Sequence, residues 1–165
     1  MKEEVVPLEV PEGFNVILGQ AHFIKTVEDL YEAIATSFPG VKFGVAFCES
    51  SGKALVRYDG NDERSVKLAV EAALRIGAGH CFVIYLNGSY PINVLDRVKD
   101  VREVACVYAA TGNPLKVVVA DDGEGRGILG VIDGVKPKGV EGDGDKAERH
   151  RLLRDIGYKR RRNSI

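Results

Sequence analysis

Two histidines carry the first chemical suggestion in this chain. His22 follows Gly19-Gln20-Ala21 and His80 follows Gly77-Ala78-Gly79, segments where the backbone can approach a ligand closely and leave an imidazole facing a cleft. A lone histidine is more often a structural residue, but these two stand at junctions and not inside a periodic apolar face. His150 sits in a charged stretch near the C-terminus and reads as a surface residue. Lys25 and Thr26 come just after His22. With Thr26 as a helix N-cap, its free backbone N–H groups and the lysine would both favour an anion there. A phosphoryl-transfer reading makes His22 the nucleophile or general base. Lys25 and Arg126 then offset charge on the phosphoryl oxygens, and Glu49 orients the imidazole. That reading needs His22, Lys25, His80 and Arg126 in one cluster.

Arg126 lies in Gly125-Arg126-Gly127-Ile128-Leu129-Gly130, which matches the dinucleotide fingerprint letter for letter. The fingerprint works by opening a helix whose N-terminal N–H groups receive a pyrophosphate. Here the β-rich run after Gly127 leads to Asp133-Gly134, so a strand-to-strand turn at Asp121-Asp122-Gly123 is the expectation. Asn61, Asp62, Asn93 and Asn113 fall in loops or at helix starts, where amide and carboxylate groups suit ribose hydroxyls or a base edge and equally suit capping and turns. Cys48, Cys81 and Cys106 each stand in an apolar run without metal-ligand spacing, so all three read as core thiols in a reducing compartment.

These residues need elements to hold them. Thr26 and Asp29, followed by Val27, Leu30, Tyr31 and Ile34 at helical spacing, predict a helix stopping near Phe38, before Pro39-Gly40. Residues 41–49 and 54–58 predict a hairpin. A second helix carries Val66, Ala69, Val70, Ala73 and Leu74 and ends at Gly77. Residues 80–86 are apolar almost without a break, which places that strand in the middle of a sheet with both faces buried. Pro91 fits the first turn of a third helix. Strands follow near 104–109, 115–121 and 127–133. A long loop over 134–144 then precedes a last helix over 146–156 and a basic tail over 159–165. The order favours an α/β protein: a mixed sheet or two packed sheets with helices outside, in one domain spanning 1–165.

The totals narrow the partners. With 23 basic and 24 acidic side chains the net charge is -1, so no overall field draws the protein to nucleic acid or an anionic membrane. No stretch approaches the roughly 20 apolar residues of a membrane span. The expectation is a cytoplasmic protein whose partner is a small molecule or another protein, with the basic tail solvated or touching a neighbouring subunit.

Taken together, residues 15–30, 43–49, 76–80, 91–95, 125–131 and 156–159 resemble the adenosine-specific kinase family of archaea and some bacteria. The resemblance implies an αββα-like layered fold, a homotrimer, and binding of adenosine or AMP, with a histidine able to carry phosphate; His22 and His80 are the two in matching motifs. With that ligand, the polar and glycine positions Gly19, Gln20, Lys25, Glu49, Asn61, Asp62, Asn93, Asn113 and Arg126, read from their own loops, become the candidate nucleotide-binding set. No metal ligands are read. AMP or adenosine is the ligand, and Mg and ATP enter only if the activity is a kinase. The sequence has no Gly-x-x-x-x-Gly-Lys-Ser/Thr loop. Three functions follow: a phosphotransferase working through phosphohistidine, a non-catalytic AMP sensor or buffer, or an oligomeric interaction protein using its tail.

Overall fold

The apolar run after His80 organises the molecule. In the computed structural model, which describes residues 1–161, it forms β5 (Cys81–Asn87). Its side chains alternate between two separate cores: Cys81, Val83 and Tyr85 enter one, and Phe82, Ile84 and Leu86 enter the other. Each fully buried aliphatic or aromatic side chain of this kind contributes roughly 1.5–3 kcal/mol, which is why a strand buried on both faces takes the central place. It is third of five in an antiparallel sheet ordered β4-β3-β5-β2-β6, with β2 at Phe14–Ala21, β3 at Lys42–Cys48, β4 at Val56–Gly60 and β6 at Val104–Thr111.

One face of this sheet is covered by α1 (Thr26–Ala35) and α3 (Leu95–Asp100), through Leu30, Ile34, Val94 and Val98. The other face is covered by α2 (Glu63–Ile76) and by a second antiparallel sheet ordered β1-β7-β8, made of Lys2–Leu8, Leu115–Asp121 and Arg126–Asp133. The layered α/β arrangement therefore holds, with α2 and the small sheet sharing a layer. Helix α2 lies so close to β3 that a Cβ on Gly44 would stand 2.3 Å from the Val66 nitrogen. Its ends follow from local chemistry: the Asp62 carboxylate accepts from the Ser65 backbone N–H, and Gly77 takes the left-handed conformation that stops it.

Several expectations need correction. The Thr26 side chain does not cap α1. It is buried, and its hydroxyl donates to the carbonyls of His22 and Phe23. The first N–H groups of the helix are already used, Thr26 donating to Phe23, Val27 to Ile24 and Glu28 to Lys25, so no row of free donors awaits an anion. The third helix is broken: a 3-10 turn over Pro91–Asn93 precedes α3. Strand β1 was not foreseen. Cys106 is exposed, unlike Cys48 and Cys81, in the first half of β6, which buries Ala109 and Thr111 only toward its other end. Among the described residues, no helix is long and apolar enough to cross a membrane.

The chain divides into two compact units, Met1–Gly134 and a second beginning at Val135. The second contains α4 (Asp143–Asp155), which starts three residues earlier than the sequence suggests. Asp145 accepts from the Gly142 N–H at its start, and no residue of the helix is buried. Of the basic tail, Arg161 pairs with Asp155, and Arg162 lies outside the described residues.

Candidate functional site

Four strand termini converge at one end of the five-stranded sheet. The Ala21 N–H donates to the His80 carbonyl at 2.9 Å, the His22 N–H to Glu103 at 2.6 Å, and the His80 N–H to Cys48 at 2.8 Å. Backbone pairing thus places the end of β2 between the starts of β5 and β6, with the end of β3 beside β5. The two sequence-predicted histidines meet here, His22 against the edge of His80 with ring centroids 6.2 Å apart. Phe47 supports His80 from the β3 side at 5.6 Å, and Phe23 stacks on His22 at 6.0 Å. His22 and Phe23 are exposed and His80 is half-buried.

The backbone at this end is held away from its preferred conformations. Phe23, Ala54 and His80 have φ of 78°, 48° and 60°, and they are the non-glycine residues with positive φ among those described. Left-handed backbone costs a residue with a Cβ roughly 1–2 kcal/mol, and such residues gather where surrounding structure overrides local preference, often at functional sites. Nothing in the letters around Phe23 or Ala54 announces this. Phe23, Phe47 and Glu103 were all missed from sequence.

The charged candidates are distributed differently from the expected cluster. Lys25 is paired with Asp29 and with Glu103, the latter at 3.1 Å, and these two carboxylates hold its ammonium above the usual lysine range. Glu103 is held below its own range chiefly by Lys25. Its other oxygen, Oε2, is buried without a hydrogen-bond partner among the described residues. Glu49 does not orient His22: its Oε2 accepts from the Leu55 N–H at 3.1 Å and from Arg57 at 3.0 Å, and the same two contacts lower its pKa. Arg126 is anchored on Asp121 at 2.8 Å and Glu4 at 3.1 Å, and it also donates to the carbonyls of Arg75 and Ile76 at the end of α2. It ties the small sheet to α2 instead of joining the histidines, and the turn at Asp122–Gly125 that carries it is the strand-to-strand turn expected in place of a dinucleotide motif.

Beside the strand ends lies a cavity of about 390 Å³ whose lining includes Glu49, Ser50, Leu55, Leu74, Gly79 and Arg126. The remaining candidates divide between packing and capping. A Cβ on Gly19 would stand 2.3 Å from the Phe82 ring and 2.6 Å from the Cys106 carbonyl, so this glycine allows close packing of strand and ring. Gln20 is exposed and accepts from the Tyr108 hydroxyl at 3.2 Å. Burial raises the Tyr108 phenol to about 12, so it stays a donor near neutrality.

Asn61, Asp62, Asn93 and Asn113 do not reach the histidines, because they stand at the opposite end of the same sheet. Asn61 accepts from the Phe43 N–H and donates to the Val41 carbonyl. Asp62 caps α2 and accepts from Asn87. Asn93 accepts from the Tyr90 N–H, and Asn113 donates to Asp133. Each is engaged in capping or turn formation. Among the described residues no three His, Cys, Asp or Glu side chains group so as to hold a metal ion.

A layered α/β protein of two antiparallel sheets with paired histidines at one sheet end is what fold and site define. The chain belongs to the adenosine-specific kinase family, whose model matches residues 6–159. It is similar to the PH1918 protein from Pyrococcus horikoshii OT3, known from a crystal structure, at 46% sequence identity over 96% of this chain and 98% of that one, with a TM-score of 0.91. Comparison with curated proteins returns no match. Family membership supports an adenosine-kinase-like role with a small nucleoside as ligand.

Proposed function

We propose that this protein binds adenosine and AMP at the histidine end of the five-stranded sheet and moves a phosphoryl group by way of His22. The observation that carries the reading is the coincidence of two imidazoles 6.2 Å apart with left-handed, non-glycine backbone at Phe23, Ala54 and His80. Local preference opposes that conformation three times over, and ligand contact is a reason to retain it. An imidazole nitrogen of His22 attacks the γ-phosphorus of ATP, and the bond to the ADP oxygen breaks with its electron pair leaving on ADP. The 5′-hydroxyl of adenosine then attacks the phosphohistidine, the P–N bond breaks, and the hydroxyl proton passes to the histidine pair as AMP forms. Phe23, exposed and stacked on His22, offers the adenine an aromatic face.

The test is incubation with adenosine and labelled ATP, following AMP and acid-labile phosphate on the protein. Turnover and labelling are expected, with both abolished in His22→Ala and strongly reduced in His80→Ala. No label and no AMP would overturn the phosphoryl-transfer reading.

A second reading, an AMP sensor or buffer without chemistry, draws support from the pairing of Lys25 and Arg126 with carboxylates, which leaves neither cation free to offset developing charge. Calorimetric binding of AMP that survives in both histidine variants, with no product, is its signature. Assembly as a homotrimer is part of the proposal. Val5, Leu129 and Ile132 of the small sheet are about half exposed, at 51%, 59% and 47%, and they offer an apolar face of the kind a neighbouring subunit covers. Light scattering of the purified protein reads the mass directly.

A further inference from the structure

Cys48 closes β3 and Cys81 opens β5. The register pairs Phe47 with Phe82, so one step further along Cys48 faces Cys81, and both side chains enter the same core. Their sulfurs stand 4.0 Å apart. We propose that Cys48 and Cys81 are a redox pair, which a hydroperoxide converts into an intramolecular disulfide at the base of His80.

Directly opposed residues on neighbouring antiparallel strands have Cβ atoms about 4.5–5.5 Å apart, and a disulfide asks for about 3.5–4.5 Å with sulfurs near 2 Å. A small rotation of the two side chains and a slight approach of the strand ends closes that gap. This happens one step beyond the last β3–β5 rung at Phe47 and Phe82, with β4 and β2 still pairing Cys48 and Cys81 on their other sides.

The surroundings set the order of events. Cys48 lines the cavity of about 390 Å³, together with Ser50, Leu55 and Gly79, whereas Cys81 does not line it and is 1% exposed. A small peroxide therefore reaches Cys48 first. The Cys48 thiolate attacks the distal oxygen of the peroxide, the O–O bond breaks, and an alcohol or water leaves; Cys48 is now a sulfenic acid. The Cys81 sulfur then attacks the Cys48 sulfur, the S–O bond breaks, and water departs with the proton of the Cys81 thiol. The two thiols have lost two electrons in total and the peroxide has gained them. The hydrogen bond from Cys81 lowers the pKa of Cys48 against the opposing effect of burial, and the same contact, with burial, raises that of Cys81. That asymmetry suits an attacking thiolate and a resolving thiol.

The pair touches the candidate site through the backbone. His80 immediately precedes Cys81, and its N–H donates to the Cys48 carbonyl at 2.8 Å. Closing the disulfide draws together the two residues that hold His80 in its left-handed conformation against Phe47. Any consequence for adenosine or AMP rests on the function proposed above, but the disulfide does not.

The test uses the full chain with Cys106→Ser, which removes the exposed competing thiol. Dilute hydrogen peroxide is expected to lower the intact mass by two hydrogens and to consume both remaining thiols, with dithiothreitol restoring them. Adding Cys81→Ser should leave a sulfenic acid on Cys48 that dimedone captures, while Cys48→Ser should leave Cys81 reduced. Survival of both thiols in folded protein, or first capture at Cys81, would overturn the proposal. The ring signals of His80 in NMR should shift between the two forms, and unchanged signals would remove the link to the site. If the disulfide forms but neither form binds AMP, the redox pair stands and the nucleotide reading falls.

Discussion

The two ends of the five-stranded sheet are built from the same strands and behave oppositely. At the asparagine end the polar groups are engaged with the chain itself: Asn61 clamps the start of β3, Asp62 caps α2 and Asn93 holds a 3-10 turn. The left-handed positions there, at Gly13, Gly40, Gly60 and Gly88, are all glycines. At the histidine end, left-handed backbone falls also on Phe23, Ala54 and His80, and two imidazoles face one another. One end follows local preference and the other overrides it. Polar side chains thus stand at both sheet ends, and the backbone conformation imposed on them is what distinguishes one end from the other.

The largest effect should come from breaking the histidine end. His22→Ala is expected to abolish phosphoryl transfer, because the nucleophile that carries the phosphoryl group is gone, with a midpoint in urea close to that of the parent, because the ring is exposed. The mirror experiment is Asp62→Ala, which should leave nucleotide binding unchanged and cost about 1–2 kcal/mol of stability by uncapping α2. Equal loss of activity in both variants would erase the distinction between the ends.

Acid should reach the asparagine end through the same residue. The hydrogen bond from the Ser65 hydroxyl, and then those from Asn87 and the Ser65 N–H, hold the Asp62 carboxyl below its ordinary 3.8 despite burial. A depressed folded-state pKa gives stability that is present above the unfolded value and lost as pH falls through the folded one. Urea midpoints should therefore decline as pH drops below about 4, and less steeply in Asp62→Asn. The smallest effect is expected at Phe23→Asn. Asparagine tolerates left-handed backbone better than phenylalanine, so stability should hold or rise by up to about 1 kcal/mol, while AMP affinity falls.

Much of the frame was legible where the signal was local. The β3–β4 hairpin, the caps of α2 and the central place of β5 follow from turn residues, capping chemistry and an unbroken apolar run. The turn after Asp121 was readable because β-rich residues follow the glycines. The two histidines were readable as a pair because glycine-bearing segments precede both. The rest depended on distant partners. Arg126 could not be assigned to Glu4 and the end of α2, nor Lys25 to Glu103, before the fold had joined them. Thr26 looked like a cap because its type fits, but burial made its hydroxyl a donor to nearby carbonyls. The four Asn and Asp candidates suited recognition and capping equally, and only the fold shows that all four stand at the sheet end away from the histidines.

Strand β1 has a consequence in time. Its partner is β7, pairing Lys2 with Asp121 and Leu8 with Leu115, so β1 leaves the ribosome roughly a hundred residues before the strand it pairs with. At roughly 5–20 residues per second, the segment waits several seconds or more with Val6 and Leu8 uncovered. The face of the large sheet that it helps to seal stays open for the same interval. Contacts of such long separation form late, which makes the nascent chain most vulnerable to aggregation just before β7 emerges. A tag fused to the N-terminus would act on that interval, changing the yield of folded protein while leaving the finished fold as it is.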